Sequence, residues 1–268
     1  FKNDPRNKLI WSFVEIIDRI RPSMFLFENV PGFKRLYSGE FYETFLDNLR
    51  KLGYKIASSL IDCSDYGVPQ YRTRTVVIGW LEGLPTFPDP THFDTPTMFG
   101  GDKKVTFWEA ISDLPIVNCG NRIGEFDYQA PAVNKYQVYC RDVATKVFNH
   151  TTQSHSTRVL EKIRSVPPGG DMRHIVARFE ENKTNYMGGY RRAVKDTPSY
   201  TVYWTRGMTS IHPDQDRFLS PRECARLQSF PDSFIFKGTT IENYTLISNA
   251  VPPLLAEVIG NHLRSGIS

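Results

Sequence analysis

Between Asn7 and Ile20 the apolar residues Leu9, Ile10, Phe13, Val14, Ile16, Ile17 and Ile20 recur at helical spacing, and Arg21-Pro22 stops the pattern. The run Phe25-Leu-Phe-Glu-Asn-Val30 follows and breaks at Pro31-Gly32. A short apolar run closed by a turn signal predicts a buried parallel strand. Phe41 to Leu52 repeats the helical pattern, with Gly53 as its cap. Tyr54 to Ile61 and Thr75 to Trp80 read as strands, separated by a turn-rich loop, Asp62 to Gln70. Helix, strand, helix, strand, loop, strand predicts an α/β layer with a largely parallel sheet. The short final loop predicts that the last strand runs antiparallel.

After Gly83, Pro, Gly, Thr and Asn become frequent and periodicity weakens to about Tyr200. Helical pieces are predicted at Phe107–Leu114 and Ser156–Ser165. Pattern returns with Ser220-Pro221-Arg222-Glu223, a capping box with Pro at the first helical position, opening a helix to Ser229. Helices at Ile241–Ile247 and Pro253–Leu263 complete the prediction. At the other end, Phe1–Lys8 is a charged loop in which Asp4-Pro5 reads as a helix entry. This divides the chain into an α/β portion (1–84), an irregular module (85–206) and a helical return (207–268).

Composition changes this picture little. The 268 residues carry a net charge of +4, which permits an acidic partner such as nucleic acid without requiring one. Cys63, Cys119, Cys140 and Cys224 are dispersed and without metal-ligand spacing, so reduced thiols in a cytoplasmic protein are expected. No apolar run is long enough to span a membrane. The chain opens on Phe1, not Met, and reads as part of a larger gene product.

Candidate chemistry lies in two places. Glu28 ends the apolar run at the carboxyl end of a predicted strand, where α/β sheets bind ligands. Partial desolvation there suits a carboxylate to hold or share a proton, although capping the next loop is the plain structural alternative. In Gln70-Tyr71-Arg72-Thr73-Arg74 the two arginines share strand parity, so they are predicted to project to one face. Such guanidinium groups can read a base edge, grip a phosphate or pair with the acid.

Four blocks together resemble the DNA cytosine-5 methyltransferase family of the bacterial restriction–modification kind. They are Glu28-Asn29-Val30, Gln70-Tyr71-Arg72-Thr73-Arg74, Arg222-Glu223-Cys224-Ala225-Arg226-Leu227-Gln228-Ser229-Phe230-Pro231-Asp232 and Asn249-Ala250-Val251-Pro252-Pro253. Asp4-Pro5-Arg6 resembles the end of that family's mobile catalytic loop. The resemblance implies a class I S-adenosylmethionine-dependent methyltransferase (Rossmann-like) sheet with a smaller target-recognition domain. It implies methyl transfer from S-adenosylmethionine to C5 of cytosine in duplex DNA, with the target base flipped out of the stack. Glu28 would hold cytosine N3 and the exocyclic amine, and Arg74 would contact O2. Arg72 would orient the nucleophile loop or Glu28. Asn29 and Gln70 are further candidates for substrate contact, and Leu9, Asn249, Ala250 and Val251 for the cofactor.

Two departures stand out. Ser248 replaces the family's usual Gly before Asn249, which puts the loop's shape in question. The Pro-Cys nucleophile motif and the glycine-rich cofactor loop are not among these residues, and neither Cys63 nor Cys224 lies in the right block. In that fold the Glu28 strand is central, so one neighbour is expected from an N-terminal half, whether a separate subunit or another part of the same gene product. The middle module corresponds to the target-recognition region, with Asn149-His150, His155-Ser156, Pro167-Pro168-Gly169-Gly170, Tyr190-Arg191-Arg192 and Pro198-Ser199-Tyr200-Thr201 as family-like segments. His150 and His155 lack a completing acid or Cys, so no metal is expected. Two other readings remain: a non-catalytic DNA-binding or regulatory subunit, and a tRNA cytosine-5 methyltransferase. The expected location is the bacterial cytoplasm, associated with the nucleoid through DNA.

Overall fold

A computed structural model describes residues 8–95, 100–179, 190–204 and 209–266. Asp4-Pro5-Arg6, most of the N-terminal loop and the Arg206 boundary lie outside them. The chain divides into two compact units, one drawn from 1–62, 73–89 and 259–268, the other from 63–72 and 90–258.

In the first unit, helix α1 (Lys8–Ile20) leads into strand β1 (Met24–Asn29). A 3-10 segment (Pro31–Gly39) follows, then helix α2 (Glu40–Lys51) and strands β2 (Lys55–Asp62) and β3 (Thr73–Trp80). The strand order is β1-β3-β2, and both pairings are antiparallel. This corrects the largely parallel sheet. The helical crossover through α2 does return the chain in the direction of β1, but it leaves a one-strand gap. The tight loop after β2 turns β3 back into that gap, as the short connection predicts. β3 is therefore the central strand, with Val76, Val77 and Ile78 buried. β1 is an edge strand among the described residues and only half-buried, with Leu26 40% exposed.

One face of the sheet packs on α1 and α2 through Phe25, Phe27, Val77, Ile17, Phe45 and Leu49. Gly79 is opposite Phe25, and a Cβ there would fall 2.1 Å from its ring, so the aromatic ring occupies the place of a side chain.

The second unit is built from short elements. Strands β4 (His92–Phe93) and β5 (Asp102–Lys103) pair, as do β6 (Phe126–Asp127) and β7 (Lys146–Val147). Helices α3 (Phe107–Ile111), α4 (Lys135–Arg141), α5 (Thr157–Ser165), α6 (Met172–Phe179), α7 (Pro221–Leu227) and α8 (Thr240–Asn249) surround them in sequence. Helix α9 (Pro253–Ser265) starts in this unit, and its last turns from Ile259 belong to the first. The predicted capping box at Ser220 and Glu223 forms, and Thr106/Glu109 and Thr239/Glu242 form two more.

Helix α7 is buried from end to end, charges included. Arg226 donates to Asp232 at 2.7 and 3.0 Å and to Asp113 at 2.5 Å, and Tyr128 donates to the same Asp232 at 2.5 Å. Arg222 donates to the carbonyls of Phe148 and Phe234, each at 2.8 Å. Arg217 grips Glu223 with two bonds of 2.7 and 2.8 Å. In a medium of low dielectric such pairs persist only when every donor and acceptor is used.

This network predicts acid sensitivity. Burial pushes His212 down to about 4, with Arg217 and Arg192 adding to the effect and Glu223 and Asp214 opposing it. Against burial, which would raise it, Arg217 holds the Glu223 carboxyl well below the usual range. The unfolded chain binds a proton at histidine near ~6.5 and the folded chain does not until about 4. The stability from neutral His212 is complete above ~6.5 and is lost as pH falls toward 4, on the order of 3 kcal/mol in all. The Glu223 contribution disappears at still lower pH. The midpoint of urea unfolding should fall between pH 7 and 4, and His212→Gln should flatten that fall.

Candidate active site

Because β1 and β3 are antiparallel, the end of β1 and the start of β3 meet at the same end of the sheet. Glu28 is opposite Val76, which places Arg74 on its diagonal, on the same face. Arg74 Nε donates to Glu28 Oε1 at 2.8 Å. The pair is not sealed: its side chains are 12% and 23% exposed for arginine and glutamate respectively. The guanidinium is further fixed by a 2.8 Å bond from Nη1 to the Thr73 carbonyl. A carboxylate and a fixed guanidinium thus share a partly exposed sheet end, a combination suited to a flat polar ring that must be both protonated and held by an oxygen. Asn29 comes next, and its side chain accepts the Val30 N–H at 2.8 Å. Leu9, near the start of α1, is 65% exposed.

Arg72 does not share this arrangement. β3 begins at Thr73, and Arg72 belongs to the second unit. It is buried and donates from Nη2 to the carbonyls of Ser248 and Ala250 at 2.8 and 3.1 Å. Arg72 therefore lies outside the strand parity that predicts a common face for the two arginines. Its Nη2 serves the Ser248–Ala250 segment, and Nη1 reaches the Val202 carbonyl at 3.5 Å.

Gln70 is enclosed as well. It is fully buried, accepts the Val202 N–H at 2.7 Å, and donates to Leu227 O and Gln228 Oε1 at 3.0 and 2.7 Å. An amide so saturated presents nothing to a ligand. Asn249 and Val251, by contrast, are exposed and Ala250 is partly so. Ser248 lies inside α8 and outside the positive-φ residues, so this position does not need a glycine here.

The family-like segments of the middle module are largely structural. His150 bonds Ser220 Oγ and the Pro115 carbonyl, each at 2.7 Å, and burial lowers its pKa. Asn149 clasps the backbone of Phe236 through both ends of its amide. Arg192 is buried against the carbonyls of Val166, Ile163 and His212. Arg191 lies over the Tyr200 ring at 3.6 Å. Among the described residues no His/Cys/Asp/Glu cluster could hold a metal, and no helix is long and apolar enough to cross a membrane. Cys63, Cys140 and Cys224 are buried, and burial pushes the thiols of Cys140 and Cys224 up to about 12. Cys119 is exposed but follows Asn118, not Pro.

The α7 block, expected as a capped helix and a family motif, is also a buried charge network. Four polar or charged residues within seven positions, flanked by Cys, Ala and Leu, were the available signal of a buried helix carrying its own counter-ions.

Comparison with known proteins shows the family of the chain. Residues 2–265 match the family described as C-5 cytosine-specific DNA methylase. The type II methyltransferase M1.HphI of Haemophilus parahaemolyticus is 34% identical over 264 residues, covering 97% of this chain and 61% of that protein. M.DdeI of Desulfomicrobium norvegicum, also a type II methyltransferase, is 31% identical, covering 98% and 68%. The chain thus spans about two thirds of the length of these relatives. A solved structure described as a DNA modification methyltransferase of an E. coli prophage superimposes with a TM-score of 0.75 at 26% identity, covering 98% of this chain and 74% of that one. The Entamoeba histolytica methyltransferase EhMeth, at 17% identity and a TM-score of 0.58, shares the fold. With its family blocks placed in a mixed α/β architecture and the family match running almost end to end, the chain belongs to the C-5 cytosine-specific DNA methylases.

Proposed function

We propose that this chain supplies the acid, the base-holding arginine and the cofactor-closing segment of an enzyme that methylates cytosine C5 in duplex DNA. The observation that carries this reading is the Glu28–Arg74 pair at the end of β1 and β3. Attack by a thiolate at C6 of cytosine places negative charge on the ring and its O2. A proton held by Glu28 at N3 removes that charge, and Arg74 at O2 stabilises what remains. Both groups act only on a base extruded from the helix, since the edge they need is otherwise paired.

The chemistry of Asn249–Val251 fits S-adenosylmethionine: an exposed carboxamide for its polar end and the exposed Val251 side chain for its apolar surface. When bound, the cofactor supplies an electrophilic methyl group. Asn249, Ala250 and Val251 would hold it and exclude water.

The attacking thiol is assigned to a Pro-Cys segment outside residues 1–268, in a separate subunit or elsewhere in the same polypeptide. Three of the four thiols here are buried, and none has a preceding proline. The same segment suits the edge of β1. Leu26 on that strand and Leu9, Ile16 and Ile20 on α1 leave apolar surface exposed in the first unit, which an added strand with its covering helix would bury.

Protein isolated from its host should contain that Pro-Cys sequence, covalently joined or at one-to-one stoichiometry. Given S-adenosylmethionine, it should generate 5-methyl-2′-deoxycytidine in duplex DNA, detected by mass spectrometry of digested product. Methylation of tRNA alone, or binding of DNA without any product, would replace this reading with one of the two alternatives.

A further inference from the structure

Pro252 and Pro253 follow α8 after Ala250 and Val251 and carry no N–H. In a continuing helix they would face the carbonyls of Ser248 and Asn249, so the end of α8 is left short of backbone donors. Side chains from two other segments donate to carbonyls at this helix end, that of Ser248 among them. Gln228 Nε2 donates to Ile247 O at 2.9 Å and to Ala250 O at 3.1 Å. Arg72 Nη2 donates to Ser248 O at 2.8 Å and to the same Ala250 O at 3.1 Å. The Ala250 carbonyl therefore has both lone pairs engaged.

The orientation of this clasp is fixed from one backbone group. The Val202 N–H can only donate, so the Gln70 atom 2.7 Å from it is its oxygen. Gln70 Nε2 then faces Gln228 Oε1 at 2.7 Å, which turns the Gln228 amide nitrogen toward the carbonyls of Ile247 and Ala250. Reversing either amide would set donor against donor or acceptor against acceptor. Gln70, Arg72 and Gln228 are all buried, while Asn249 and Val251 in front of them are exposed. A segment held from behind and open in front is preorganised for a ligand: its ordering entropy is lost on folding and not on binding.

We propose that Gln70, Arg72 and Gln228 are positioning residues that fix the Asn249–Val251 segment in its cofactor-binding conformation, and so set the affinity for S-adenosylmethionine without touching it. This rests on the assignment of that segment to the cofactor. It also gives the Gln-x-Arg portion of the second block a role separate from that of Arg74.

The test uses the full-length protein and isothermal titration with S-adenosylhomocysteine, without DNA. Gln228→Met keeps the side chain's size and removes its donors. It should raise Kd about tenfold, the effect of roughly 1.4 kcal/mol of lost preorganisation. The KM for S-adenosylmethionine should rise in parallel with kcat within twofold at saturation, and amides 249–251 should exchange hydrogen faster. Gln70→Met should weaken binding similarly, and the double variant little further, because the two amides act as one chain. If Gln228→Met fails to fold, Arg72→Lys, which keeps the charge and fewer donors, is read the same way. Asn249→Ala serves as the reference. Weakened binding in Asn249→Ala with wild-type affinity in Gln228→Met or Arg72→Lys would overturn the inference. Wild-type affinity in Asn249→Ala as well would remove the cofactor assignment itself.

Discussion

Glu28→Gln should lower kcat for methyl transfer by about 10²- to 10⁴-fold, the range supplied by a positioned general acid. The amide is nearly isosteric and can still accept from Arg74, so the shape of the sheet end survives. What is lost is the group that carries a proton to N3 and then gives it up. The fold should barely notice. Glu28 and Arg74 are partly exposed, and an ion pair so placed contributes at most ~1 kcal/mol to stability. The thermal midpoint should stay close to that of the wild type, and the affinity for duplex DNA should be nearly unchanged. Arg74→Lys should also fall by about 10²-fold or more, because a point charge on a flexible stem cannot hold Glu28 and a base oxygen in one plane. Rapid-quench measurement of a single turnover separates this loss from slow product release. A subunit that only binds DNA would show no loss of binding and would have no activity to lose.

Asp232→Asn should have the opposite profile, a loss of stability by about 3–5 kcal/mol. Asp232 is fully buried and takes two bonds from Arg226, one from Tyr128 and a longer one at 3.5 Å from Arg222. Removing its charge leaves two guanidinium groups in the interior with one remaining carboxylate, Asp113, on Arg226. The amide also turns two hydrogens toward donors. Chemical denaturation followed by circular dichroism gives the value directly. Replacing Arg226 by Met should also be destabilising, since it leaves Asp113 to Arg141 alone and Asp232 to Tyr128 and the longer Arg222 contact. A change below 1 kcal/mol in either variant would mean that the network carries little of the fold's stability. These two substitutions separate the chemistry at the sheet end from the buried scaffold in α7.

The helices and strands of the first unit were legible because their apolar periodicity is unbroken: α1 and α2 lie within a residue or two of where Leu9–Ile20 and Phe41–Leu52 place them. Strand direction was legible only where connection length decides it, as for β3. The order β1-β3-β2 was not, because nothing in Phe25–Val30 says which neighbour fills the gap left by a helical crossover. The chemistry of Glu28 and Arg74 could be named from their blocks, and register then brought them together. The burial of Arg72 and Gln70 was not legible: strand parity carries Arg72 one residue past the start of β3, and nothing local to Gln70 names its buried partners. Arg72 instead serves the Ser248 carbonyl that Pro252 leaves without a donor, and Gln70 orients Gln228, which serves Ile247 and Ala250. The second unit's short elements carry too few residues for periodicity to register. Their capping boxes at Ser220 and Thr239 are what sequence offers in its place.

The central claim, that this chain acts on cytosine C5 through Glu28 and Arg74, is tested most directly by a duplex bearing 5-fluoro-2′-deoxycytidine at the target position. Methyl addition at C5 and thiol addition at C6 consume the ring's double bond. Restoring it requires loss of the C5 proton, and fluorine in that place cannot leave as a cation. Full-length protein incubated with this duplex and S-adenosylmethionine should give a covalent complex whose intact mass equals protein plus DNA plus one methyl group, while Glu28→Gln should form it far more slowly. No covalent complex from active protein, or equal rates of formation by wild type and Glu28→Gln, would contradict the account.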